Sequence, residues 1–192
     1  MRISGGQARG IHLAVPKGDA VRPATDGLRQ AVFSSLGDRM EGAWFLDLFA
    51  GSGSYGLEAL SRGAAGGMWV ERNRAAFELL RRNIASVCVS MERDEEGLMV
   101  RCGDATSAPW IDPERPPALV FVDPPYPILD KVAPRVFRAL KGLLRRRDDP
   151  RVVFEMPGEV ALAPRGFELV KRLGKGAGQP TAAIYRLEPL PR

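Results

Sequence analysis

Short apolar runs alternate with amphipathic stretches along most of the chain. Five of these runs have the length of strands, and they lie at residues 44–49, 68–71, 98–101, 118–122 and 151–156. Between them, apolar side chains recur every three or four residues, which is the spacing of a helix with one buried face. Strands that alternate with helices predict an α/β fold, in which a mostly parallel sheet is covered on both faces.

The helices between these strands are predicted at residues 57–62, 75–87 and 132–147. We expect Pro134 to interrupt the last one early, because proline has no backbone N–H to donate. A further helix precedes the first strand, with Thr25 as its candidate N-cap. Its apolar stripe consists of Leu28, Val32, Phe33 and Leu36. Two strands at residues 167–173 and 181–187 close the chain and predict an antiparallel hairpin added to the sheet.

The first 22 residues have a different pattern and predict a short β-hairpin arm. Glycines punctuate this stretch at positions 5, 6 and 10, and Ile11, Leu13 and Val15 alternate as in a strand. The chain has 192 residues, which fits one domain of ordinary size. We therefore expect a single-domain protein with an N-terminal arm at residues 1–22 and a main body at residues 23–192.

Four carboxylic acids stand at or just after the ends of predicted strands. They are Asp47, Glu71, Asp104 and Asp123. Because the carboxyl ends of parallel strands meet at one edge of a sheet, we expect these side chains to share one rim. Open α/β sheets bind their ligands at that edge, near the point where the strand order reverses.

A glycine-rich loop follows the first strand, at residues 47–56 with the sequence DLFAGSGSYG. It contains the G-x-G-x-x-G pattern, and Glu71 follows Gly51 by twenty residues, as the ribose-binding acid does in dinucleotide-binding enzymes. A nicotinamide- or flavin-dependent dehydrogenase is therefore one interpretation. Asp47 favours another, because its carboxylate would repel a pyrophosphate but attract the cationic methionine end of S-adenosylmethionine.

In that second interpretation the rim binds S-adenosylmethionine. Asp47 faces the methionine end, Glu71 accepts hydrogen bonds from the two ribose hydroxyls, and Asp104 accepts one from the adenine amino group. The other predicted cofactor-binding residues are Phe49, Gly51, Gly53, Arg72 and Ala105.

The fourth strand ends in Asp123-Pro124-Pro125-Tyr126, which predicts chemistry on an exocyclic amine. Such an amine is a poor nucleophile, because its lone pair is delocalised into the base. The Asp123 carboxylate and the Pro124 carbonyl can each accept one of its N–H groups and stabilise the developing positive charge. Pro125 helps to hold that carbonyl in position, and Tyr126 can stack on a base that has left its helix.

The net charge of +5 and the pI of about 9.6 favour a polyanionic partner. The candidate RNA contacts lie near the N-terminus and are Arg2, Arg9, Lys17, Arg22 and Thr25. Two cysteines and one histidine predict neither a disulfide framework nor a metal site. The chain shows no apolar run that could span a bilayer and no signal-peptide pattern, so we expect a cytoplasmic protein, and we expect a monomer.

The order of these motifs resembles the bacterial RsmD-type family, the 16S ribosomal RNA guanine-N2 methyltransferases. The resemblance rests on RPATD at 22–26, the glycine loop, GLEALSRGA at 56–64 and DPPY at 123–126, and it covers nearly the whole chain. It implies a Rossmann-like methyltransferase sheet, S-adenosylmethionine as cofactor, and 16S rRNA or the small ribosomal subunit as substrate. This chain departs from the family's usual pattern at Ala8, Ile11, Ala24, Gln30 and Ser34.

Three other interpretations stay open. A DPPY motif also serves methylation of adenine N6 in DNA or RNA, although 192 residues leave little room for a separate target-recognition domain. The dehydrogenase remains the alternative with different chemistry. A cofactor-fold RNA-binding protein without activity is the third, and intact Asp123 and Tyr126 argue against it.

Overall fold

A computed structural model describes residues 1–15, 26–107, 114–174 and 176–189. Within these ranges the α-helices are α1 (Asp26–Leu36), α2 (Ser54–Ser61), α3 (Arg74–Ser90) and α4 (Leu129–Leu144). The strands are β1 (Trp44–Leu48), β2 (Gly66–Glu71), β3 (Leu98–Cys102), β4 (Leu119–Val122), β5 (Arg151–Pro157), β6 (Phe167–Gly174) and β7 (Pro180–Leu187). Helices separate β1 from β2, β2 from β3 and β4 from β5, as the sequence pattern predicts.

The seven strands form one sheet in the order β3-β2-β1-β4-β5-β7-β6. Strands β1 to β5 run parallel, and β7 is antiparallel to both of its neighbours, β5 and β6. The predicted α/β fold with an antiparallel C-terminal hairpin is therefore confirmed. The strand order reverses between β1 and β4, so the carboxyl ends of these two strands form the switch point at which such sheets bind ligands.

The sheet separates two apolar cores. On one face α1, α2, α3 and the N-terminal segment cover rings that include Phe45, Trp69 and Phe121. On the other face the apolar side of α4 packs on the sheet, and Phe137 stacks on Phe154 at 5.3 Å. All residues of β2 and β4 are buried, as expected for inner strands that are covered on both faces.

The helix α2 begins earlier than predicted, at Ser54 rather than at position 57. The sequence pattern assigned Gly56 to the loop, because glycine is a poor helix former. In the structure Gly56 is helical and lies against Trp69 and Phe45, where an added Cβ would overlap both rings. The missing side chain lets α2 approach the sheet closely, and this tertiary packing outweighs the local helix propensity.

The predicted interruption of α4 at Pro134 is wrong. The helix begins at Leu129, continues through Pro134 and ends at Leu144, three residues before the predicted end. The proline removes a single hydrogen bond from the second turn. Burial of Val132, Val136 and the rest of the apolar face holds the helix together despite that loss.

The N-terminal segment forms a smaller hairpin than the short β-hairpin arm that the pattern predicts. Within residues 1–15 the chain folds back on itself through one antiparallel bridge, between Arg2 and His12, and no regular strand forms. The side chains of Ile3, Ala8 and Leu13 are buried in the core that α1, α2 and α3 share. The segment is thus part of the main body, and the predicted boundary at residue 22 falls outside the described residues.

A buried ion network attaches this segment to the body. The fully buried Glu58 of α2 accepts hydrogen bonds from the Ser4 amide at 2.8 Å and the Ser4 hydroxyl at 2.7 Å. The same carboxylate pairs with the guanidinium groups of Arg62 at 2.8 Å and of Arg29 at 3.4 Å. Arg29, also fully buried, donates to the carbonyl of Arg2. One carboxylate therefore compensates a buried cation and holds the N-terminal turn.

None of the helices in the described ranges has the length and apolar character that a bilayer-spanning helix requires.

We expect Glu58→Gln to lower the free energy of unfolding by about 3 kcal/mol, because the substitution removes the buried carboxylate that pairs with Arg29 and leaves only the partly exposed Asp26. Urea denaturation followed by circular dichroism measures this change. The control is Glu168→Gln, which breaks the exposed pair with Arg186 and should leave the denaturation midpoint nearly unchanged. Equal midpoint shifts for the two variants would contradict the structural role of Glu58.

Two glycines in helices should respond in opposite directions to alanine. Gly56→Ala should destabilise the fold by about 1–3 kcal/mol, because the new methyl group overlaps Trp69 and Phe45. Gly142→Ala, in α4, should stabilise it by about 0.5–1 kcal/mol, because nothing lies within 4 Å of its Cβ position and alanine favours helix. The same urea experiment compares the two, and a stable Gly56→Ala protein would disprove the close approach of α2.

Candidate active site

The backbone of the glycine loop between β1 and α2 adopts conformations, and makes one close contact, that favour glycine over residues with a side chain. Gly51 and Gly53 have φ angles of +54° and +81°, in the left-handed region that favours glycine. A Cβ on Gly53 would also overlap the side chain of Leu80 from α3. Phe49 adopts a positive φ of +61° although it is not a glycine. The loop thus presents backbone, rather than side chains, at the carboxyl end of β1.

Asp47 lies beneath this loop and is only 2% exposed. Its Oδ2 accepts a hydrogen bond from the Gly56 amide at 2.9 Å, which ties the first turn of α2 to β1. Burial raises the pKa of Asp47 from 3.8 to about 8, although the hydrogen bond from Gly56 lowers it. The nearby Glu71 carboxylate adds to the rise. The sequence predicted that this carboxylate faces the methionine end of the cofactor, and that role stays a prediction. The structure shows that the group is buried and that its hydrogen bond braces the loop.

Glu71, at the end of β2, also uses its carboxylate on the backbone. Oε2 accepts from the Gly51 amide at 2.9 Å, and Oε1 accepts from the Asn73 amide at 2.6 Å. A carboxylate has about four lone-pair positions, so two acceptor positions remain for a ligand. Glu71 therefore joins the glycine loop to the start of α3 and can still accept hydroxyl hydrogen bonds.

Asp104 is the exposed member of the predicted rim. Its Oδ1 accepts from the Thr106 amide at 2.8 Å and from the Thr106 hydroxyl at 2.9 Å. The hydrogen bond from the Thr106 backbone amide is the main cause that holds the pKa of Asp104 below its usual value. The positive charges of Arg72 and Arg135 act in the same direction. Backbone pairing of the Gly103 amide with the Glu71 carbonyl places Asp104 beside Glu71, while Ala105 is buried behind it.

The DPPY motif lies at the switch point. The Asp123 amide donates to the Leu48 carbonyl at 3.3 Å, so the motif and the glycine loop leave neighbouring strands side by side. The Pro125 carbonyl accepts from the Ile128 amide at 3.1 Å, and Tyr126 begins a short 3₁₀ turn at Tyr126–Ile128. In the described part of the chain no backbone donor meets the Pro124 carbonyl, which is thus available as the predicted acceptor. Burial, then Glu155 and Asp47, raise the pKa of Asp123 well above its usual value.

Sequence reasoning missed Glu155, which belongs to the same site. It lies near the carboxyl end of β5, is 1% exposed, and accepts a hydrogen bond from the Tyr55 hydroxyl at 2.8 Å. Burial raises its pKa from 4.5 to about 7, although the Tyr55 bond and the nearby Arg29 charge act against the rise. A signal was present, because Glu155 is an acid near the end of a predicted strand, as the other four are. Tyr55 had no such signal.

Of the predicted RNA-binding residues, the structure describes Arg2 and Arg9. Arg2 is 65% exposed and lies 3.9 Å from Asp26 at the start of α1. Arg9 follows a turn whose Gln7 and Ala8 amides bond to Ser61, at the C-terminal end of α2. Since α2 rises about 1.5 Å per residue, this turn lies roughly 10 Å from the glycine loop. The Arg9 turn thus lies at the other end of α2 from the glycine loop, and its contact with RNA stays a prediction. Lys17, Arg22 and Thr25 lie outside the described residues.

Across the described ranges, no three His, Cys, Asp or Glu side chains are arranged to hold a metal ion.

Relatives and known structures with the same arrangement include proteins named as rRNA methyltransferases. Ribosomal RNA small subunit methyltransferase D of Escherichia coli K12 is 39% identical over 128 residues, 66% of this chain. That match spans only 60% of the length of the E. coli protein. The proposed rRNA methyltransferase YlbH of Bacillus subtilis strain 168 is 30% identical over 97% of this chain and 98% of its own.

A solved structure from E. coli, described as the proposed methyltransferase yhhF, superposes with a TM-score of 0.78. It is 32% identical and covers 98% of both chains. The family model described as "Conserved hypothetical protein 95" matches residues 1–186, nearly the full chain. On these matches, the chain belongs to the RsmD-type family that this model describes.

Proposed function

We propose that this protein is an S-adenosylmethionine-dependent methyltransferase that methylates the exocyclic N2 amine of a guanine in 16S ribosomal RNA. The observation that carries the proposal is the position of Asp123-Pro124-Pro125-Tyr126. The motif follows β4 directly beside the glycine loop after β1, and the Asp123 amide bonds to the Leu48 carbonyl. A cofactor on the loop and an amine on Asp123 would then be neighbours, which an in-line transfer requires.

The residues of the rim fit the adenosine part of the cofactor. Asp104 is exposed, its pKa is lowered, and only its Oδ1 accepts a hydrogen bond among the described residues, so it suits an adenine amino group. Glu71 retains acceptor positions for ribose hydroxyls. Phe49, Gly51 and Gly53 form the curved backbone against which the ligand would lie. Asp47 supports this loop from beneath.

The chain's own groups then prepare the amine. When bound, the cofactor supplies a methyl group on a sulfonium sulfur. The Asp123 carboxyl and the Pro124 carbonyl accept one N–H each, which localises the nitrogen lone pair and stabilises the positive charge that develops there. Tyr126, partly buried beside them, offers a ring face for the base. Pro125 fixes the backbone between these groups.

The loop argues against a dinucleotide. A pyrophosphate binds such loops through their free backbone N–H groups. Here the Gly51 amide donates to Glu71 and the Gly56 amide donates to Asp47. Two of the glycine amides are thus occupied by carboxyl groups of the chain and are not free to bind a pyrophosphate. The dehydrogenase interpretation therefore loses its physical basis.

The names of the relatives support ribosomal RNA as the substrate, and the basic net charge suits such a polyanion. We place the assembled or assembling small subunit, a cytoplasmic location and a monomeric state within the same proposal. Arg2 and Arg9 are the described candidates for phosphate contacts. Because the Arg9 turn lies at the far end of α2, RNA that contacts both the DPPY motif and Arg9 must extend along that helix.

Calorimetric titration should show binding of S-adenosylhomocysteine, and none of NADH or NADPH, because the loop amides are already occupied. The nicotinamide nucleotides are the matched controls for adenosine binding. Binding of either nucleotide without binding of S-adenosylhomocysteine would contradict the proposal and support the dehydrogenase interpretation of the loop.

Substitution of Asp123 by Ala should reduce methyl transfer to small subunits by about 10²–10³-fold or more, since one acceptor of the developing charge is lost. Binding of S-adenosylhomocysteine should stay unchanged. Asp130→Ala is the control, an exposed acid seven residues further on in α4, and should transfer methyl groups at the wild-type rate. Full turnover by the Asp123→Ala protein would remove Asp123 from the mechanism. Nucleoside analysis of the product distinguishes N2-methylguanosine from N6-methyladenosine.

A further inference from the structure

Glu155 is a buried acid that the proposed chemistry does not use. The register of β4 and β5 pairs Phe121 with Val153 and Val122 with Phe154, so Asp123 and Glu155 stand opposite each other one step further on. Side chains alternate along strands, and both acids therefore lie on the face that bears Phe121 and Val153. Neighbouring strands are about 5 Å apart, which makes these two carboxyl groups neighbours.

Tyr55 fixes the position of this second carboxyl group. Its ring stacks on Phe121 at 5.3 Å and 17°, and its hydroxyl donates to Glu155 Oε2 at 2.8 Å. The other oxygen, Oε1, is buried and has no hydrogen-bond partner among the described residues. Opposite Glu155 on the next strand, β7 presents only Ala182. No cation pairs directly with the Glu155 carboxylate in the described structure, so its charge acts on the groups around it.

The charged and titratable groups around this position come from four elements. Asp123 follows β4, Asp47 lies on β1, Tyr55 on α2 and Arg29 on α1. The Arg29 charge also acts on Glu155, and Arg29 forms ion pairs with Asp26 and Glu58. Two neighbouring carboxyl groups in a buried site cannot both ionise easily, so they titrate as a pair.

We propose that Glu155 is a positioning residue that acts through Asp123: the Tyr55 hydroxyl keeps the negative charge on Glu155, and this charge raises the proton affinity of Asp123 on the neighbouring strand. The Tyr55 hydroxyl donates to Glu155 and therefore favours the ionised form of Glu155. The charge on Glu155 in turn makes Asp123 a stronger base than an isolated carboxylate. The inference rests on the proposed function, in which Asp123 contacts the amine.

A stronger base at this position serves the second half of the reaction. The nitrogen forms its bond to the methyl group with its lone pair, becomes cationic, and must lose one proton. In the form of the pair with both carboxyl groups ionised, that proton passes to the Asp123 carboxylate, and it leaves for solvent after the product. A neighbouring negative charge favours this proton transfer, and it also compensates the positive charge on the nitrogen before the proton leaves.

The test compares wild type with Glu155→Gln and Tyr55→Phe. The first removes the charge and keeps the shape, and the second removes the hydroxyl and keeps the ring stacked on Phe121. Protein labelled with ¹³C at aspartate side-chain carboxyls gives the pKa of Asp123 by NMR, with Asp123→Asn to assign its signal. We expect the pKa of Asp123 to fall by on the order of one unit in Glu155→Gln and by less in Tyr55→Phe.

Activity should change in the same direction. Because ionised Asp123 is the form that accepts the proton, the acidic limb of the pH–rate profile should move to lower pH in Glu155→Gln. The maximal rate falls several-fold, because the base is weaker, while the Kd for S-adenosylhomocysteine stays constant. Glu58→Gln is the matched control, another fully buried glutamate, whose loss should lower stability and leave the pKa of Asp123 and the pH profile in place.

An Asp123 signal that titrates at the same pH in wild type and Glu155→Gln would overturn the inference. So would a Glu155→Gln protein that behaves like Glu58→Gln, with reduced stability and an unmoved profile. The NMR titration requires neither cofactor nor RNA. It therefore stays decisive for the carboxyl pair even if wild-type protein fails to methylate RNA, which would count against the proposed function alone.

Discussion

The glycine loop takes its shape from two carboxyl groups that accept hydrogen bonds from backbone amides. The remainder of the site depends on that shape. Asp47 holds the Gly56 amide, and Glu71 holds the Gly51 amide. The loop is thereby attached to β1 and β2 at once. Because α2 starts directly from the loop, the same bonds set the position of Tyr55 and hence its contact with Glu155. Without these two hydrogen bonds, the start of α2 and its close approach to Trp69 would not be fixed.

The position of a strand in the sheet decides how exposed the acid at its end is, and for four of these acids it sets the direction of the pKa shift. β3 is an edge strand, so Asp104 faces solvent, and its hydrogen bonds from Thr106 lower its pKa. β1, β4 and β5 are inner strands covered by helices, so burial raises the pKa of Asp47, Asp123 and Glu155. The rim therefore has a stable anion at the end assigned to adenosine and protonatable groups at the end assigned to methyl transfer.

The N-terminal segment shares the core of the body because one buried carboxylate serves several partners. Glu58 compensates Arg29 and Arg62 and also binds Ser4, which leaves Ile3 and Leu13 in apolar surroundings. A segment attached in this way cannot move freely relative to the active site. Ala8 is buried where it bonds to Ser61, so its small side chain suits the space against α2.

The sequence by itself determined the α/β class, the order of the elements and the positions of the glycine loop and the DPPY motif, because hydrophobic periodicity and glycine placement are local signals. It predicted the four acids at strand ends for the same reason. Only the tertiary structure decided how deeply each acid is buried and which groups it contacts. It places the Asp47 carboxyl against the Gly56 amide, and it places Glu155 opposite Asp123 on the neighbouring strand. Packing also keeps α4 helical through Pro134 and buries apolar side chains of the N-terminal segment in the core. Burial and strand register depend on residues far apart in the chain, and no local pattern encodes them.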